Sequence, residues 1–212
     1  MFTGIVEKRV QVLEVTPAAG SLQITLATHW PDVKHGESIA VNGCCLTVAR
    51  IHPTTNGPIE LGFDVVAETL DKTNLGRVQC GNQVHVERAM RIGDRVDGHF
   101  VQGHIDGTAR LIKCIDDGKE VRLVIEAPMA LEQYLVPKGS ICVDGVSLTI
   151  AALRPGQFEV ALIPTTVQLT LLAERPVGWP YNLEADVLSK TIVSWLERRG
   201  LDGHGKTQNP PL

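Results

Sequence analysis

Two matching blocks of the chain each carry a side chain that could act as a nucleophile or as a polar contact. Residues 38–49 read SIAVNGCCLTVA and residues 140–151 read SICVDGVSLTIA, with seven of twelve positions identical. Cys45 stands opposite Ser147, so a thiol and a hydroxyl occupy equivalent positions and could serve different steps of one reaction. In a strand the residues two further on, Thr47 and Thr149, point to the same face. The alternative is that all four are small strand residues, because free cysteine is often buried and threonine favours strands.

His104 marks the second difference between the two halves. Residues 2–7 (FTGIVE) pair loosely with residues 100–106 (FVQGHID), which places Ile5 opposite His104. Imidazole exchanges protons near neutral pH, so His104 could move a proton where isoleucine cannot. The alternative for His104 is a position in a turn or in a core, which is common for a lone histidine. For His99 a structural role is as good an interpretation as a functional one.

The matching blocks keep their order over most of each half, which indicates a unit of about a hundred residues present twice. Short segments rich in Val, Ile, Leu and Thr predict six strands in the first half, at residues 10–15, 22–27, 38–41, 46–51, 60–65 and 83–87. Asn42-Gly43 and Asp144-Gly145 each lie between apolar segments, which predicts a tight hairpin in each half. Six short strands leave exposed edges unless they close, so we predict an all-β protein with two similar six-stranded barrels in tandem.

A helix and a polar tail are predicted after the second barrel. Residues 186–199 read DVLSKTIVSWLERR. Apolar residues recur there at helical spacing, at Leu188, Ile192, Trp195 and Leu196. Asp186 is suited to cap the start of this helix and Gly200 to follow its end. The apolar face could cover its own domain or associate with copies of itself, and residues 200–212 are predicted to be a disordered tail.

Composition and charge argue against several classes of function. The 212 residues carry a formal net charge of −4 and no basic stripe, so binding to nucleic acid is not expected. No run of about 18 apolar residues occurs, so no membrane span is predicted, and the opening residues lack the pattern of a signal peptide. The five cysteines are odd in number and form no CxxC pair, which favours a reduced, cytoplasmic protein.

An ordered set of motifs resembles the riboflavin synthase family. The set comprises MFTGIVE at residue 1, NGCCLTV at 42, FDVVAETL at 63, TNLG at 73, HVERA at 85, GHFVQGHIDG at 98, DGVSLT at 144 and LIP at 162. The resemblance implies two six-stranded Greek-key β-barrels plus a C-terminal α-helix, assembled as a homotrimer through that helix. It implies an N-terminal lumazine-binding barrel at 1–97, a C-terminal one at 98–186, an oligomerisation helix at 187–199 and a tail at 200–212.

The resemblance also implies a reaction, the last step of riboflavin biosynthesis. Two molecules of 6,7-dimethyl-8-ribityllumazine give riboflavin and 5-amino-6-ribitylaminouracil by transfer of a four-carbon unit, without a metal or another cofactor. Each barrel would hold one lumazine, and the active site would form between the N-terminal barrel of one subunit and the C-terminal barrel of its neighbour. Which barrel binds the donor, and which group removes the proton, stays open.

The family motifs carry roles to individual residues of this chain. The catalytic set is Cys45, His104, Ser147, Thr149, Asp186 and Phe2. The substrate-binding set in the first half is Gly4, Ile5, Val6, Ser38, Cys45, Leu46, Thr47, Asp64, Val65, Val66, Ala67, Glu68 and Thr69. In the second half it is Gly103, His104, Ile105, Lys138, Ser147, Leu148, Thr149, Ala161, Leu162, Ile163, Pro164, Thr165 and Thr166.

Several of these residues also have a simpler explanation. Asp186 already serves as a helix cap, Phe2 could pack in a core, and Asp64 and Glu68 could lie on an exposed strand face. Lys138, like Ser38, could simply be solvated.

Two departures from the family pattern concern the ribityl contacts of the second barrel. Thr165 stands where the family commonly has an acidic residue, and residues 169–173 read LTLLA where a second TNLG-like block is expected.

Two other classes of function compete with the synthase. One is a non-catalytic protein that binds lumazine or flavin, although such relatives tend to lose the reactive residues that this chain retains. The other is a flavin-dependent reductase barrel, which would need a nicotinamide-binding domain with a glycine-rich phosphate loop. No GxGxxG occurs, and the residues after the second barrel are too few for such a domain.

Overall fold

The first half of the chain folds into a closed antiparallel barrel. A computed structural model describes residues 1–52 and 57–201. The first barrel consists of β1 (Lys8–Ala18), β2 (Ser21–Thr28), β3 (Ser38–Val41), β4 (Cys44–His52), β5 (Ile59–Val66) and β6 (Gln83–Arg88). Around the barrel the order is β1-β2-β5-β4-β3-β6, and β6 pairs again with β1. Spatial neighbours that are not consecutive in sequence give a Greek-key arrangement, and all six predicted strands are confirmed.

The second half repeats this architecture strand for strand. Its strands are β7 (Gly107–Asp116), β8 (Val121–Glu126), β9 (Ser140–Val143), β10 (Val146–Arg154), β11 (Gln157–Leu162) and β12 (Pro180–Ala185). They close in the order β10-β11-β8-β7-β12-β9, which is the same cycle with every strand replaced by its counterpart. The predicted all-β fold of two six-stranded barrels is therefore confirmed.

The predicted hairpins join β3 to β4 and β9 to β10, and the two turns touch each other. Asn42 and Asp144 both have a φ of 45°, followed by glycines with φ of 81° and 84°, which is the left-handed pair that a tight hairpin requires. A Cβ added to Gly43 would lie 2.6 Å from the backbone nitrogen of Gly145. The duplicated turns therefore meet back to back, and glycine is needed there for close approach as well as for conformation.

Short helices follow the equivalent strands β5 and β11. They are α1 (Ala67–Lys72) and α3 (Pro164–Leu169), with the small helix α2 (Met129–Glu132) between them in sequence, and 3-10 turns at Asn74–Arg77 and Leu172–Glu174. The predicted substrate contacts at residues 64–69 and 161–166 therefore lie partly on a strand and partly on the helix that follows it. Pro164 has no N–H to give to a sheet and suits the first position of a helix.

Two extended segments each cross from their own half of the chain to the barrel formed by the other half. We call residues 2–6 the N-terminal segment and residues 101–105 the middle segment. They form a bridge with each other at Phe2 and Val101. Val6 then packs against the core of the second barrel, whereas Ile105 packs against the core of the first. Each barrel is thus completed by a segment from the other half of the chain.

The C-terminal helix α4 (Val187–Arg198) follows directly after β12. The Asp186 side chain accepts a hydrogen bond from the Leu188 N–H at 2.9 Å, which confirms the predicted cap. Lys190 binds the carboxylate of Asp106 at 3.0 Å and so fixes the first turns to the second barrel. Gly200 has a φ of 65° just after the helix, as predicted, while the predicted tail lies outside the described residues from position 202 onwards.

Within residues 1–52 and 57–201 no helix is long and apolar enough to cross a membrane.

Candidate functional site

Beside Cys45 the first barrel opens between β4 and β5. The pairing of these strands begins at Val48 opposite Phe63, so the earlier residues of β4 lie beyond that ladder. The middle segment fills the gap, because the Cys45 N–H donates to the Gly103 carbonyl at 2.8 Å. Alternation along β4 directs Cys45 and Thr47 outwards, where the first is half-buried and the second exposed. The predicted common face of these two residues is present.

The second barrel repeats this opening around Ser147. There the N-terminal segment lies along β10, and the Ser147 N–H donates to the Gly4 carbonyl at 2.7 Å. Ser147 is half-buried and Thr149 exposed, as at the first barrel. The two candidate sites are therefore built alike, and each combines one barrel with a segment from the opposite half.

Glycine is required at the contact point of each segment. A Cβ on Gly103 would lie 2.5 Å from the Cys45 Cβ, and one on Gly4 would lie 2.7 Å from the Ser147 Cβ. Both glycines also have a left-handed φ, of 79° and 75°. Both glycines belong to the predicted substrate-binding set, and in the described residues their close approach is to Cys45 and Ser147.

The exchange decides which barrel each mismatched residue serves. His104 follows Gly103 and so belongs to the Cys45 site of the first barrel, where its side chain is exposed. Ile5 follows Gly4 and belongs to the Ser147 site, with 47% of its surface exposed. Cys45 thus has a proton-exchanging residue on its neighbouring segment, and Ser147 has an aliphatic one there.

His99 lies directly against Ser147, a contact that the sequence analysis missed. Its Nδ1 is 2.7 Å from the Ser147 Oγ, and its Nε2 is buried without a hydrogen-bond partner in the described residues. Burial lowers the pKa of His99, while the nearby Asp186 carboxylate raises it. A histidine within the GHFVQGHIDG motif was the only sequence signal for this role. Of the residues predicted to be catalytic, Ser147 thus contacts His99 directly, and the charge of Asp186 acts on the same imidazole.

The second wall of each site comes from β5 and β11 and differs between the barrels. The outward residues are Asp64 and Val66 at the first barrel, and Ala161 and Ile163 at the second. Val66 and Ile163 are 57% and 64% exposed, so both walls offer an apolar surface against which a flat ring could pack.

Asp64 on the first wall corresponds to the uncharged Ala161 on the second. Asp64 pairs with Arg50 at 2.9 Å, so its carboxylate is partly engaged before any ligand arrives. On the helices that follow, the exposed Glu68 corresponds to the exposed Thr165. The two sites would therefore contact a polar chain differently.

Four of the predicted contact residues point into the barrel cores. Leu46, Val65, Leu148 and Leu162 are at most 8% exposed and pack inside their own barrels. Their part in a site is restricted to backbone atoms. Phe2, which the resemblance places in the catalytic set, is fully buried with Val101, Ala40 and Cys142 between the barrels, so its side chain packs in a core, as the simpler explanation expected.

Lys138 has a backbone conformation that lysine rarely adopts. Its φ is 65°, whereas its counterpart in the first half is Gly36 with a φ of 83°. Both residues donate their N–H at 3.0 Å to the second strand of the hairpin that follows, Lys138 to Ile150 on β10 and Gly36 to Val48 on β4. A side chain kept where glycine is unstrained points to a functional requirement, which supports the predicted contact role of Lys138.

A cavity of about 650 Å³ borders the first barrel near two of the predicted contact residues, Ile5 and Ser38. Charged side chains surround it, with Arg88 bound to Glu7 at 3.0 Å and Arg91 to Asp32 at 3.1 Å. Neither Cys45 nor Ser147 lines it, so it is separate from the contact points of the two segments.

A buried polar network holds the two barrels together. Asn182 donates to the Asn42 carbonyl at 2.8 Å and accepts from the Asn74 N–H at 2.6 Å. His85 makes the equivalent pair of bonds in the other direction, with Nδ1 at 2.7 Å from the Asp144 carbonyl and Nε2 accepting from the Leu171 N–H at 2.7 Å.

The altered block at residues 169–173 belongs to this network. Leu171 takes the place of Asn74 and is 5% exposed between the barrels. The departure therefore concerns the packing of the barrels rather than the ribityl contacts.

The His85 contacts require a neutral ring, which gives a prediction for pH dependence. Burial lowers the pKa of His85 to about 4 from its usual 6.5. The unfolded chain takes up this proton first, so stability is complete above pH 6.5 and falls as the pH drops towards 4. His85→Asn would keep both bonds, as Asn182 does, and remove the dependence. We expect wild type to lose about 2–3 kcal/mol more than the variant between pH 7.5 and 4.5 in urea unfolding. Parallel losses in both proteins would contradict this assignment.

Comparison with known proteins agrees with this architecture. The family model of the lumazine binding domain matches residues 3–89 and again residues 102–186. Riboflavin synthase of Mycobacterium bovis is 44% identical over 206 residues, which cover 94% of this chain and 100% of that protein. Riboflavin synthase of Bacillus subtilis is 38% identical and covers 93% of this chain and 91% of that protein. The chain belongs to the riboflavin synthase family, which confirms the predicted family and the predicted enzyme class, a transferase of a four-carbon unit.

A solved relative shares the fold at lower identity. The crystal structure of LumP complexed with riboflavin matches with a TM-score of 0.78 and 23% identity, covering 87% of this chain and 99% of that one. At this identity the likeness extends to the fold, so the relatives above carry the assignment.

Proposed function

We propose that this chain converts two molecules of 6,7-dimethyl-8-ribityllumazine into riboflavin and 5-amino-6-ribitylaminouracil. The observation that carries the proposal is the pair of related but unequal sites. Thr47 and Thr149, with the backbone of the two segments, would supply equivalent contacts to two identical substrates. The donor and the acceptor have the same chemical structure, so the two sites must bind the same molecule. Because the two molecules react differently, the two sites must also differ in their reactive side chains.

The differences between the sites would assign the roles. The first site has Cys45 with His104 on its segment and acidic groups on its second wall. The second has Ser147 with His99 at 2.7 Å and Lys138 in place of glycine. Proton transfer from the methyl group of the donor lumazine is a task for imidazole, which both sites hold in different settings. Bringing two bound substrates together turns a bimolecular step into an effectively intramolecular one.

Assembly would complete the active site. The candidate residues face outwards on each barrel, so a ligand on one surface stays open to solvent until a second surface covers it. We propose that the first barrel of one subunit meets the second barrel of its neighbour in a homotrimer. The exposed apolar side chains of α4 support this, since Leu188, Ile192 and Trp195 are 58%, 60% and 53% exposed. Such a stripe favours association over covering its own domain.

A binding protein without turnover is the second candidate. The fold shared with the riboflavin-bound LumP structure favours it, because the same two barrels suit a lumazine or flavin ligand. The retention of Cys45, His104, Ser147, Thr149 and Asp186 favours the enzyme. We place either protein in the cytoplasm, with support from the five cysteines, which are all free.

Incubation of the purified, metal-free protein with the lumazine separates the two candidates. The synthase forms one riboflavin for every two lumazines consumed, which absorbance and fluorescence both follow. A protein that binds the lumazine stoichiometrically and leaves it unchanged would overturn the proposed reaction. Dialysis against a chelator should not alter the rate, since the proposed chemistry draws only on protons and bound substrates.

A further inference from the structure

Each barrel has one buried glutamate at the same position of its last strand. Glu87 on β6 is 6% exposed and Glu184 on β12 is 1% exposed. A buried carboxylate is costly unless hydrogen bonds compensate its lost hydration. Both copies of the duplicated unit have a buried glutamate despite this cost in free energy, so both carboxylates need hydrogen-bond donors.

Both carboxylates bind the backbone of the segment that leaves for the other barrel. Glu87 accepts from the Thr3 N–H at 2.7 Å with one oxygen and from the Gly4 N–H at 3.1 Å with the other. The Thr3 hydroxyl adds a bond of 2.9 Å to the first oxygen. In the second barrel Glu184 accepts from the Gln102 N–H at 2.6 Å and from the Gly103 N–H at 2.8 Å. Each glutamate therefore takes two successive amide groups of its segment.

The carbonyl at the end of each clamped pair then faces the opposite site. Gly4, held by Glu87 of the first barrel, accepts from Ser147 of the second, and Gly103, held by Glu184 of the second barrel, accepts from Cys45 of the first. The peptide that contacts the reactive side chain is thus fixed from both of its sides. Burial raises the pKa of both carboxyl groups, and the hydrogen bonds from the segment amides act against this rise.

We propose that Glu87 and Glu184 are positioning residues that act crosswise, each fixing the segment which shapes the candidate site of the other barrel. Glu184 sets the place of Gly103 and His104 at the Cys45 site, and Glu87 sets the place of Gly4 and Ile5 at the Ser147 site. The consequence for the two ligand sites rests on the proposed function, whereas the clamping itself does not.

The two glutamates form a matched pair of test variants. Glu184→Gln keeps the shape but offers an NH₂ group to an amide that can only donate, so one bond becomes a repulsion. We expect amide hydrogen exchange across residues 101–105 to rise at least about tenfold, with residues 2–6 unchanged. Glu87→Gln should give the reverse pattern. Exchange that rises equally in both segments in both variants, or in neither segment, would overturn the proposal.

Thiol alkylation gives a second reading of the same pattern. Cys45 should react faster with iodoacetamide in Glu184→Gln and at the wild-type rate in Glu87→Gln. The exposed Cys80 serves as the internal reference for reagent and time. If a glutamine variant does not fold, Glu184→Asp and Glu87→Asp replace the pair, because the shorter side chain keeps the charge and withdraws it from the segment. Equal Cys45 rates in the two variants would contradict crosswise positioning.

Titration with the lumazine distinguishes failure of the clamp from failure of the proposed function. In a rapid-mixing titration, read before turnover consumes the ligand, wild type should bind two lumazines per chain, and each variant should weaken one of the two sites at least about tenfold with the other unchanged. Turnover in wild type without the crosswise exchange pattern would overturn the positioning and leave the function standing. If the variants show the crosswise exchange pattern but the wild-type protein does not consume lumazine, the proposed function is overturned and the positioning role stands.

Discussion

Replacing His104 by alanine is expected to lower kcat by about 100- to 1000-fold while the affinity for lumazine stays within about threefold of wild type. His104 follows the glycine that contacts Cys45, and its side chain is exposed on the site rather than packed in a core. Loss of a group that moves protons slows the chemical step and leaves most of the binding surface intact. Steady-state kinetics for kcat and fluorescence titration for binding measure the two effects separately.

The second half of the chain suggests the control for this substitution. Ile5 occupies the equivalent position at the other site, so the fold accepts isoleucine there, and His104→Ile should reproduce the loss of kcat without loss of stability. Equal losses of turnover and binding in both variants would show that His104 has a structural role.

The duplication, the strands and the hairpins could be predicted because each leaves a local pattern. Alternation places Cys45 and Thr47 on one face, and Asn42-Gly43 forces a left-handed turn whatever the surrounding fold. The cap of α4 at Asp186 is equally local. Such features depend on residues within a few positions of each other, so a single sequence contains what is needed to infer them.

The exchange of segments could not be predicted in this way. Gly4 and Cys45 lie in the same half of the chain, yet the bond that Gly4 forms is to Ser147 in the other half. A short extended segment outside the strands has no periodicity that names its partner. The same limit applies to His99, whose contact with Ser147 depends on the middle of the chain folding back over the second barrel.

The exchange also changes which residues act together at a site. Read in sequence order, His104 belongs with Ser147, because both lie in the second half. The hydrogen bond between the Cys45 N–H and the Gly103 carbonyl places His104 at the Cys45 site instead. Cys45 and His104 therefore lie at one site, and their counterparts Ser147 and Ile5 lie at the other. The Ser147 site has its own imidazole in His99, held by the hydroxyl and partly shielded from water. The two sites therefore differ in how tightly a proton carrier is held.

Trp195→Glu is expected to disperse the proposed homotrimer and to abolish most of the activity at low protein concentration. Leu188, Ile192 and Trp195 lie within one face of α4, while Lys190 on the opposite side binds Asp106 of its own barrel. The apolar face is thus free to meet other copies. A carboxylate buried in such an interface costs about 2 kcal/mol per chain at least, so three copies weaken assembly by about four orders of magnitude.

Two measurements should change together in this variant. Analytical ultracentrifugation should show monomers at micromolar concentration, and the specific activity should rise with protein concentration as the remaining association is restored. Glu197→Lys is the matched control, because it changes charge on the exposed opposite side of the same helix and should leave assembly and turnover at wild-type values. A monomeric Trp195→Glu protein with full activity per chain would contradict an active site shared between neighbouring subunits. Turnover would then have to occur between the two barrels of one chain.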